Sequence, residues 1–486
     1  MATRDFSNYF LYRWRYVIGY GTIGLLLAGL LLFAGLYLPG GLSEAEQLSV
    51  TRSAALSFSD PSTLTIPNLP YYALQAGIFA LLGVSIFTIK LPSLIIALVS
   101  AIGLVFLLRR WFRPNIAILA SLIAITSGQF LYIAQSGTPS ILYIFWPIVL
   151  LLLGTQITRV KTFRMLWKVL FAISAAVSLY TPLSIYPLLA ILLAIILHPH
   201  LRNAVRRLRK SRIVIVTLIF LILIAPLVWL ISLNPQLGQT LLFGTPKTWP
   251  PDIAVNTVIV AKQYFMFWGP STTEVMTPVF GLGSVILIGL GAYRLVRTRE
   301  TTRSYLIIFW IICLIPVLII NPNFTSVTFI PSVLMLAAGL TSLISYWYRL
   351  FPLNPYARIA GLIPIVILVG ALIVSGLGRY IYGYYYGAQV APLFSKDLRL
   401  LPDNTRQLVT TEKDQAFYKA IASYKEDLEV VAQPTADSIV ATRDARTAIK
   451  GYEIKQIITN SRTSDSDRLY VMQRVPQPEQ QPTPQQ

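Results

Sequence analysis

The stretch Pro67-Asn-Leu-Pro-Tyr-Tyr72, continued by Leu81-Leu-Gly-Val-Ser-Ile-Phe-Thr-Ile-Lys-Leu-Pro-Ser93 and closed by Leu107-Leu-Arg-Arg-Trp-Phe112, decides how the chain is read. From Leu91 to Leu108 no charge interrupts an apolar run long enough to cross a bilayer, and Arg109-Arg110 ends it as a basic stop. Upstream lies a second apolar run, Tyr16–Leu38, preceded by Arg4, Arg13 and Arg15. It is too long for a signal-peptide core, so an uncleaved first span is expected. Between the two sits a loop, Pro39–Lys90, that opens on the acidic turn Gly41-Leu-Ser-Glu-Ala-Glu46. Its own apolar part, Tyr71–Ile89, could span, but Lys90 and Arg109-Arg110 would then bracket the next span with basic residues at both ends and invert everything after it. A re-entrant or amphipathic helix at the outer interface is expected instead.

The rest of the chain repeats this grammar. Of 486 residues, 55% are apolar and 12% charged, the composition of a polytopic membrane protein. Further apolar runs begin near Ile116, Ile141, Leu166, Leu183, Ile213, Pro278, Tyr305, Ile330 and Ile359, giving about eleven spans. The net charge of +20 resides largely in short loops: Arg109/Arg110/Arg113, Arg159/Lys161/Arg164, Arg202 to Arg212, Arg294 to Arg303, and Arg349/Arg358. All fall on one side, whereas the opposite loops carry only Arg52, Lys90, Lys247 and Lys262. That asymmetry predicts a cytoplasmic N-terminus and a multi-pass plasma-membrane protein. It also accounts for the basic excess without nucleic acid, since no basic face alternates with exposed aromatics. Cys313 stands alone inside a span, and His198 and His200 flank Pro199 at a basic loop, so neither a disulfide framework nor a thiolate or histidine metal site is expected. None of the spans has an acid at its centre, which argues against an ion-coupled transporter.

Beyond Gly378 acidic residues become common and β-type runs appear at Gln407–Thr411, Leu428–Ala432, Ser438–Thr442, Ile454–Thr459 and Leu469–Val475, with an amphipathic helix at Lys413–Tyr424. The fold class expected is therefore an all-α polytopic membrane domain, residues 1–378, followed by a small α/β extracytoplasmic domain, 379–475, and a Pro/Gln-rich tail, 476–486.

The outer side of the membrane part offers few reactive groups: Glu44, Glu46, Asp60, Asp252 and Glu274, with the four cations above. From Leu42 to Gly154 the chain resembles the protein O-mannosyltransferase and aminoarabinose-transferase branch of the GT-C membrane glycosyltransferases. Ser43-Glu44-Ala45 and Arg52 stand where that family has an Asp-Glu-Ala motif and a following Arg. Pro67-Asn-Leu-Pro-Tyr-Tyr72 is similar to its His- or Lys-Pro-Pro-Leu-Tyr-Tyr motif, and Lys90 takes an Arg position in the segment ending Leu-Pro-Ser93. Phe130–Pro139, and Asn321-Pro-Asn-Phe…Ile330-Pro-Ser, resemble the starts of later spans.

The resemblance implies a GT-C fold and transfer of a sugar from a polyprenyl-phosphate or diphosphate donor to an extracytoplasmic lipid, glycan or protein. Glu44 or Glu46 would be the base, or hold a divalent metal ion; Arg52 and Lys90, with Lys262, would steady the phosphate; Asn68, Tyr71 and Tyr72 would line the substrate. The sequence departs from the family at Ser43, the catalytic Asp position, at Pro67, at Ser140, and at Gln135 and Thr138, where Arg is common. Glu44 and Glu46 equally suit the first turn of a helix capped by Ser43. A second reading is therefore a catalytically silent GT-C-fold envelope protein that binds lipid or a partner.

Overall fold

The structure, a computed structural model, describes residues 10–36, 41–57, 59–159, 163–206, 210–244, 250–267, 279–350, 355–385, 393–425, 427–459 and 467–475. The expected tail therefore lies outside the described residues.

Each apolar run becomes a helix. The first half comprises α1 (Phe10–Leu36), β1 (Leu42–Ser43), α2 (Glu44–Ala54), α3 (Leu69–Leu82), α4 (Ile86–Trp111), α5 (Pro114–Ile125), α6 (Gly128–Gln135), α7 (Leu142–Arg159), α8 (Arg164–Ser178) and α9 (Ile185–Leu197). The second half of the membrane part holds α10 (Pro199–Arg206), α11 (Lys210–Leu233), α12 (Pro235–Phe243), α13 (Ile253–Phe265), α14 (Leu282–Arg297), α15 (Thr302–Ile320), α16 (Phe329–Leu350) and α17 (Pro355–Tyr385). Among the described residues, six helices are long and apolar enough to span, or seven if α5 and α6, bent by 59°, form one broken span. The expected eleven is not reached on length: α8, α9 and α14 have 15, 13 and 16 residues. Pro182 and Pro199 flank α9, and Pro187 sits in its first turn, where proline is tolerated.

The basic loops grouped by charge do meet on one face. Arg159 Nη1 donates to the Arg110 carbonyl at 2.6 Å, and Arg303 Nη1 to that of Trp111 at 2.8 Å. The His198 Nε2 lies 3.0 Å from the Glu300 carbonyl oxygen. On the other face, α3 is 14 residues long, about 21 Å at 1.5 Å per residue and short of the hydrocarbon thickness. It ends at Gly83, whose φ of 72° suits glycine, and it buries Tyr71, Tyr72, Gln75 and Phe79 along one stripe.

The tightest helix pair is α14 with α16, and two glycines permit it. A Cβ on Gly291 would lie 1.8 Å from the Met335 carbonyl oxygen, and one on Gly339 2.0 Å from that of Leu287. Close backbone approach of this kind is the membrane alternative to hydrophobic association.

α17 runs to Tyr385, past the Gly378 boundary expected from composition, before the chain enters the C-terminal domain, called the outer domain after the expectation above. There β2 (Phe394–Lys396), β3 (Gln407–Val409), α18 (Glu412–Ala422), β4 (Glu429–Val431), β5 (Ser438–Thr442), α19 (Arg443–Arg446), β6 (Tyr452–Thr459) and β7 (Arg468–Arg474) follow. Five strands form one sheet in the order β4-β3-β5-β7-β6, parallel around β3 and antiparallel around β7. The domain is welded to the first loop. β2 pairs antiparallel with β1, and Leu400, Leu408, Phe417, Tyr418 and Ile421 share a core with Leu42, Val50, Phe79, Ile86 and Ile89.

Near that junction Asp467 is buried and accepts the Asp397 N–H. Burial lifts its carboxyl to about 6; that hydrogen bond and Lys396 work against the rise, and the charges of Asp397 and Asp414 add to it.

Two outcomes are expected. Gly291→Val should lower the thermal midpoint in detergent, with about 1–3 kcal/mol or more lost to overpacking. An acid whose folded pKa is raised destabilises the fold increasingly as pH rises from its unfolded value through the folded one. Asp467→Asn should therefore match wild type near the ordinary aspartate pKa and grow relatively more stable up to and beyond about 6, as read by thermal unfolding across pH.

Candidate functional site

Ser43 opens α2 as its N-cap. Its Oγ accepts the Glu46 N–H at 3.3 Å, while Glu46 Oε2 accepts the Ser43 N–H at 2.9 Å and its hydroxyl at 3.1 Å. This capping box turns the Glu46 side chain back toward its own helix start. The other oxygen, Oε1, accepts the Gly137 N–H at 2.7 Å and meets Lys90 Nζ at 2.9 Å. Lys90 comes from the first turns of α4 and donates also to Gln135 Oε1, at 2.7 Å. Both partners of this ion pair have no solvent exposure. A Cβ at Gly137 would lie 2.9 Å from the Ile89 carbonyl oxygen, so glycine is needed for that N–H to reach the carboxylate. The Phe394 ring, brought by the outer domain, lies 6.0 Å from the ammonium.

Around the pair, Gln75 accepts the Ser49 and Ser53 hydroxyls at 2.9 and 2.6 Å and donates to the Ile89 carbonyl at 2.9 Å, tying α2 to α3 and α4. Tyr71 shares a 2.7 Å hydrogen bond with Ser93, which donates to the Thr138 carbonyl. Tyr71 is thus committed to packing.

Arg52 lies on the last turn of α2, half-buried, its Nη1 donating to the Tyr72 hydroxyl at 3.2 Å. Among the described residues it forms no ion pair. Tyr72 belongs to the same apolar core as Tyr143, which meets Phe324 edge-on at 5.6 Å between ring centroids. Asn68 starts α3 in the left-handed region, φ 63°, its N–H donating to the Tyr180 carbonyl, and its buried Oδ1 is without a protein partner.

The structure brings Glu46 and Lys90 together, and Arg52 and Tyr72. It does not bring Lys262 to either pair; that residue is exposed near the end of α13, which packs on α15. Glu44 is 81% exposed, its Oε1 4.0 Å from Lys413 of the outer domain. Asp60 caps the turn after it, and hydrogen bonds from the Ser62 hydroxyl and N–H hold its carboxyl low. Asp252 caps α13. Lys247 and Glu274 lie outside the described residues.

The geometry bears on three expectations. Both Glu46 oxygens are saturated and shielded from water, so Glu46 cannot take a proton from an acceptor in this arrangement. Lys90 spends its charge on Glu46 and is not open to a donor phosphate. Nor do Glu44 and Glu46 suit a divalent ion: one faces solvent, the other is fully hydrogen-bonded, and no group of three or more His, Cys, Asp or Glu converges among the described residues. Sequence reasoning missed Gln75, Gly137 and Phe394. A polar Gln75 within the apolar Tyr71–Ile89 run was the available signal, since polar groups in such segments need partners.

Residues 67–229 match the family model for dolichyl-phosphate-mannose-protein mannosyltransferase. No curated protein sequence matches the chain. Among solved structures it is similar to apo ArnT from Cupriavidus metallidurans, with TM-score 0.52 and 12% identity over 94% of this chain and 98% of that one. The same protein bound to undecaprenyl phosphate matches with TM-score 0.52 and 13% identity over 93% and 98%. The Archaeoglobus fulgidus oligosaccharyltransferase, tethered to an acceptor peptide containing the NVT sequon, matches with TM-score 0.51 and 14% identity over 87% and 65%. The chain has the GT-C fold.

Breaking the buried pair from one side should cost about 3–5 kcal/mol, because the remaining charge is stranded. Thermal unfolding of Glu46→Gln, Lys90→Met and the double variant should show a double markedly more stable than the sum of the singles predicts. Additive losses would mean the two charges are uncoupled.

Proposed function

We propose that the chain is an integral-membrane glycosyltransferase that moves a sugar from a polyprenyl-phosphate or polyprenyl-diphosphate donor to an extracytoplasmic lipid, glycan or protein. Arg52 carries the reading. It is a half-buried guanidinium, without a carboxylate among the described residues, on a helix pinned by the Glu46–Lys90 pair. A cation held this way is short of a counter-ion, and a phosphate supplies one through the planar fork. Relatives in fold add support: ArnT was solved with undecaprenyl phosphate, and an archaeal oligosaccharyltransferase with dolichol-phosphate and an inhibitory peptide, the latter at TM-score 0.51.

In this reading the sugar–phosphate bond breaks while negative charge grows on the departing phosphate, and Arg52 neutralises it with Tyr72 fixing the fork. Lys262 is a second, outlying cation. Asn68 offers a buried acceptor for a donor hydroxyl. The acceptor's proton passes to Glu44, the solvent-facing carboxylate of the pair, beside Lys413 of the domain that shapes the acceptor side. Glu46 and Lys90 act as positioning residues. The basic loops keep the N-terminus in the cytoplasm and the outer domain outside the plasma membrane.

The burial of Glu46 gives the silent-scaffold reading its one specific support, and the same assay separates the two. Transfer of labelled sugar from a panel of polyprenyl-phosphate donors should occur in membranes containing the wild type. Glu44→Gln should lower it about 10²-fold or more, and Arg52→Ala about 10²–10³-fold, with Arg52→Lys retaining part. Undiminished transfer in folded Glu44→Gln would move the base elsewhere. No transfer from any donor, with folded protein, would favour the scaffold.

A further inference from the structure

At the end where α14 and α16 finish and α15 begins, three arginines stand on neighbouring helices. Arg303 opens α15, its Nη1 bound to the carbonyl of Trp111 at 2.8 Å and its guanidinium carbon 4.6 Å from the centre of the Phe112 ring. These contacts fix the group, yet its Nε is buried and unpartnered. Arg294, on the last turn of α14, lies within electrostatic reach of Arg303, and Arg349, on the last turn of α16, within reach of Arg294. The Gly291–Gly339 approach holds α14 and α16 side by side.

None of the three forms an ion pair among the described residues. The nearest acid along the chain, Glu300, is exposed on the turn between α14 and α15, with its backbone carbonyl oxygen beside His198. The N-terminus of α15 adds its partial positive charge at the same place. Three like charges on adjoining helix ends, one of them with a buried donor unmet, suit an anion with several oxygens; a phosphate ester matches guanidinium forks better than a carboxylate does.

The surroundings say which phosphate. Tyr293 and Val296 flank Arg294, and Tyr346 and Leu350 flank Arg349, all four strongly exposed. Apolar and aromatic side chains beside arginines at span ends suit acyl chains with a headgroup above them. We propose that Arg294, Arg303 and Arg349 form a binding site for the phosphate of an anionic phospholipid headgroup, with its acyl chains lying over Tyr293, Val296 and Tyr346.

The test uses the full chain purified in detergent and offered equal amounts of phosphatidylglycerol and phosphatidylcholine, with retained lipid counted by native mass spectrometry. Wild type should keep phosphatidylglycerol in clear excess. Arg294→Gln/Arg349→Gln, which leaves the Arg303–Trp111 bond in place, should lose about tenfold of it while phosphatidylcholine stays unchanged. Arg294→Lys/Arg349→Lys should recover most of the loss, which a merely misfolded variant would not. Millimolar pyrophosphate should fail to displace the lipid; displacement would make this a site for soluble phosphate and overturn the lipid assignment. Equal retention of the two lipids by wild type, or equal phosphatidylglycerol in wild type and the Gln variant, would overturn the site altogether.

Discussion

Two opposite charges that never touch water hold the first loop of this protein in register with α4 and the end of α6. Burying Glu46 or Lys90 alone would cost several kcal/mol. Together they are tolerable because both carboxylate oxygens and two of the ammonium donors are met: two donors from Ser43, the Gly137 N–H, and the Gln135 side-chain oxygen. These partners come from the first loop, from α4, and from the end of α6 with the turn after it. A one-residue slip in any of them would strand a charge. α2 therefore has one position, and Arg52, six residues or about 9 Å further along that helix, inherits it.

The outer domain closes the same pocket from above. Gly41 lets β1 approach β2, since a Cβ there would lie 2.6 Å from the Lys396 carbonyl oxygen. Leu42 and Ser43 then pair with Lys396 and Phe394, one step from the carboxylate they help to hold. Without the domain Leu42, Val50 and Phe79 would lose their cover, and water would reach the ion pair and weaken it. The C-terminal domain is thus part of the helical domain's electrostatics rather than an appendage to it.

What was legible in the sequence is what is local. Apolar runs ended by arginines gave the helices and the grouping of basic loops on one face, because length and charge bias act within one segment. Alternation gave the strands and α18 of the outer domain. The Ser43–Glu46 capping box was legible as a helix start, being a four-residue pattern. Its second role was not, for Glu46 meets Gly137 and Lys90 only through the tertiary fold, and nothing in the spacing of 46, 90 and 137 announces that they converge. The pairing of β1 with β2 was missed for the same reason. Span number is less legible: an apolar run sets a helix but not its length, and α8, α9 and α14 have 15, 13 and 16 residues.

The departures from the family pattern make sense together rather than one by one. An aspartate at 43 could cap α2 as serine does, but it would bring a second carboxylate to about 3 Å from Glu46, with one ammonium to share. Serine supplies the cap and two donors without that charge. Lys90 in place of arginine follows the same logic. A compact ammonium brings three donors, two of them met by Glu46 and Gln135 in a closed pocket, whereas a guanidinium would bring five donors and more volume. Ser43, Glu46, Lys90 and Gln135 are therefore one coupled solution, in which the charges that an open site would present are used to build the frame. In the function proposed, chemistry on such a frame falls to the groups at its edge, Glu44 beside Lys413 and Arg52 beside Tyr72, because the buried pair presents no free face.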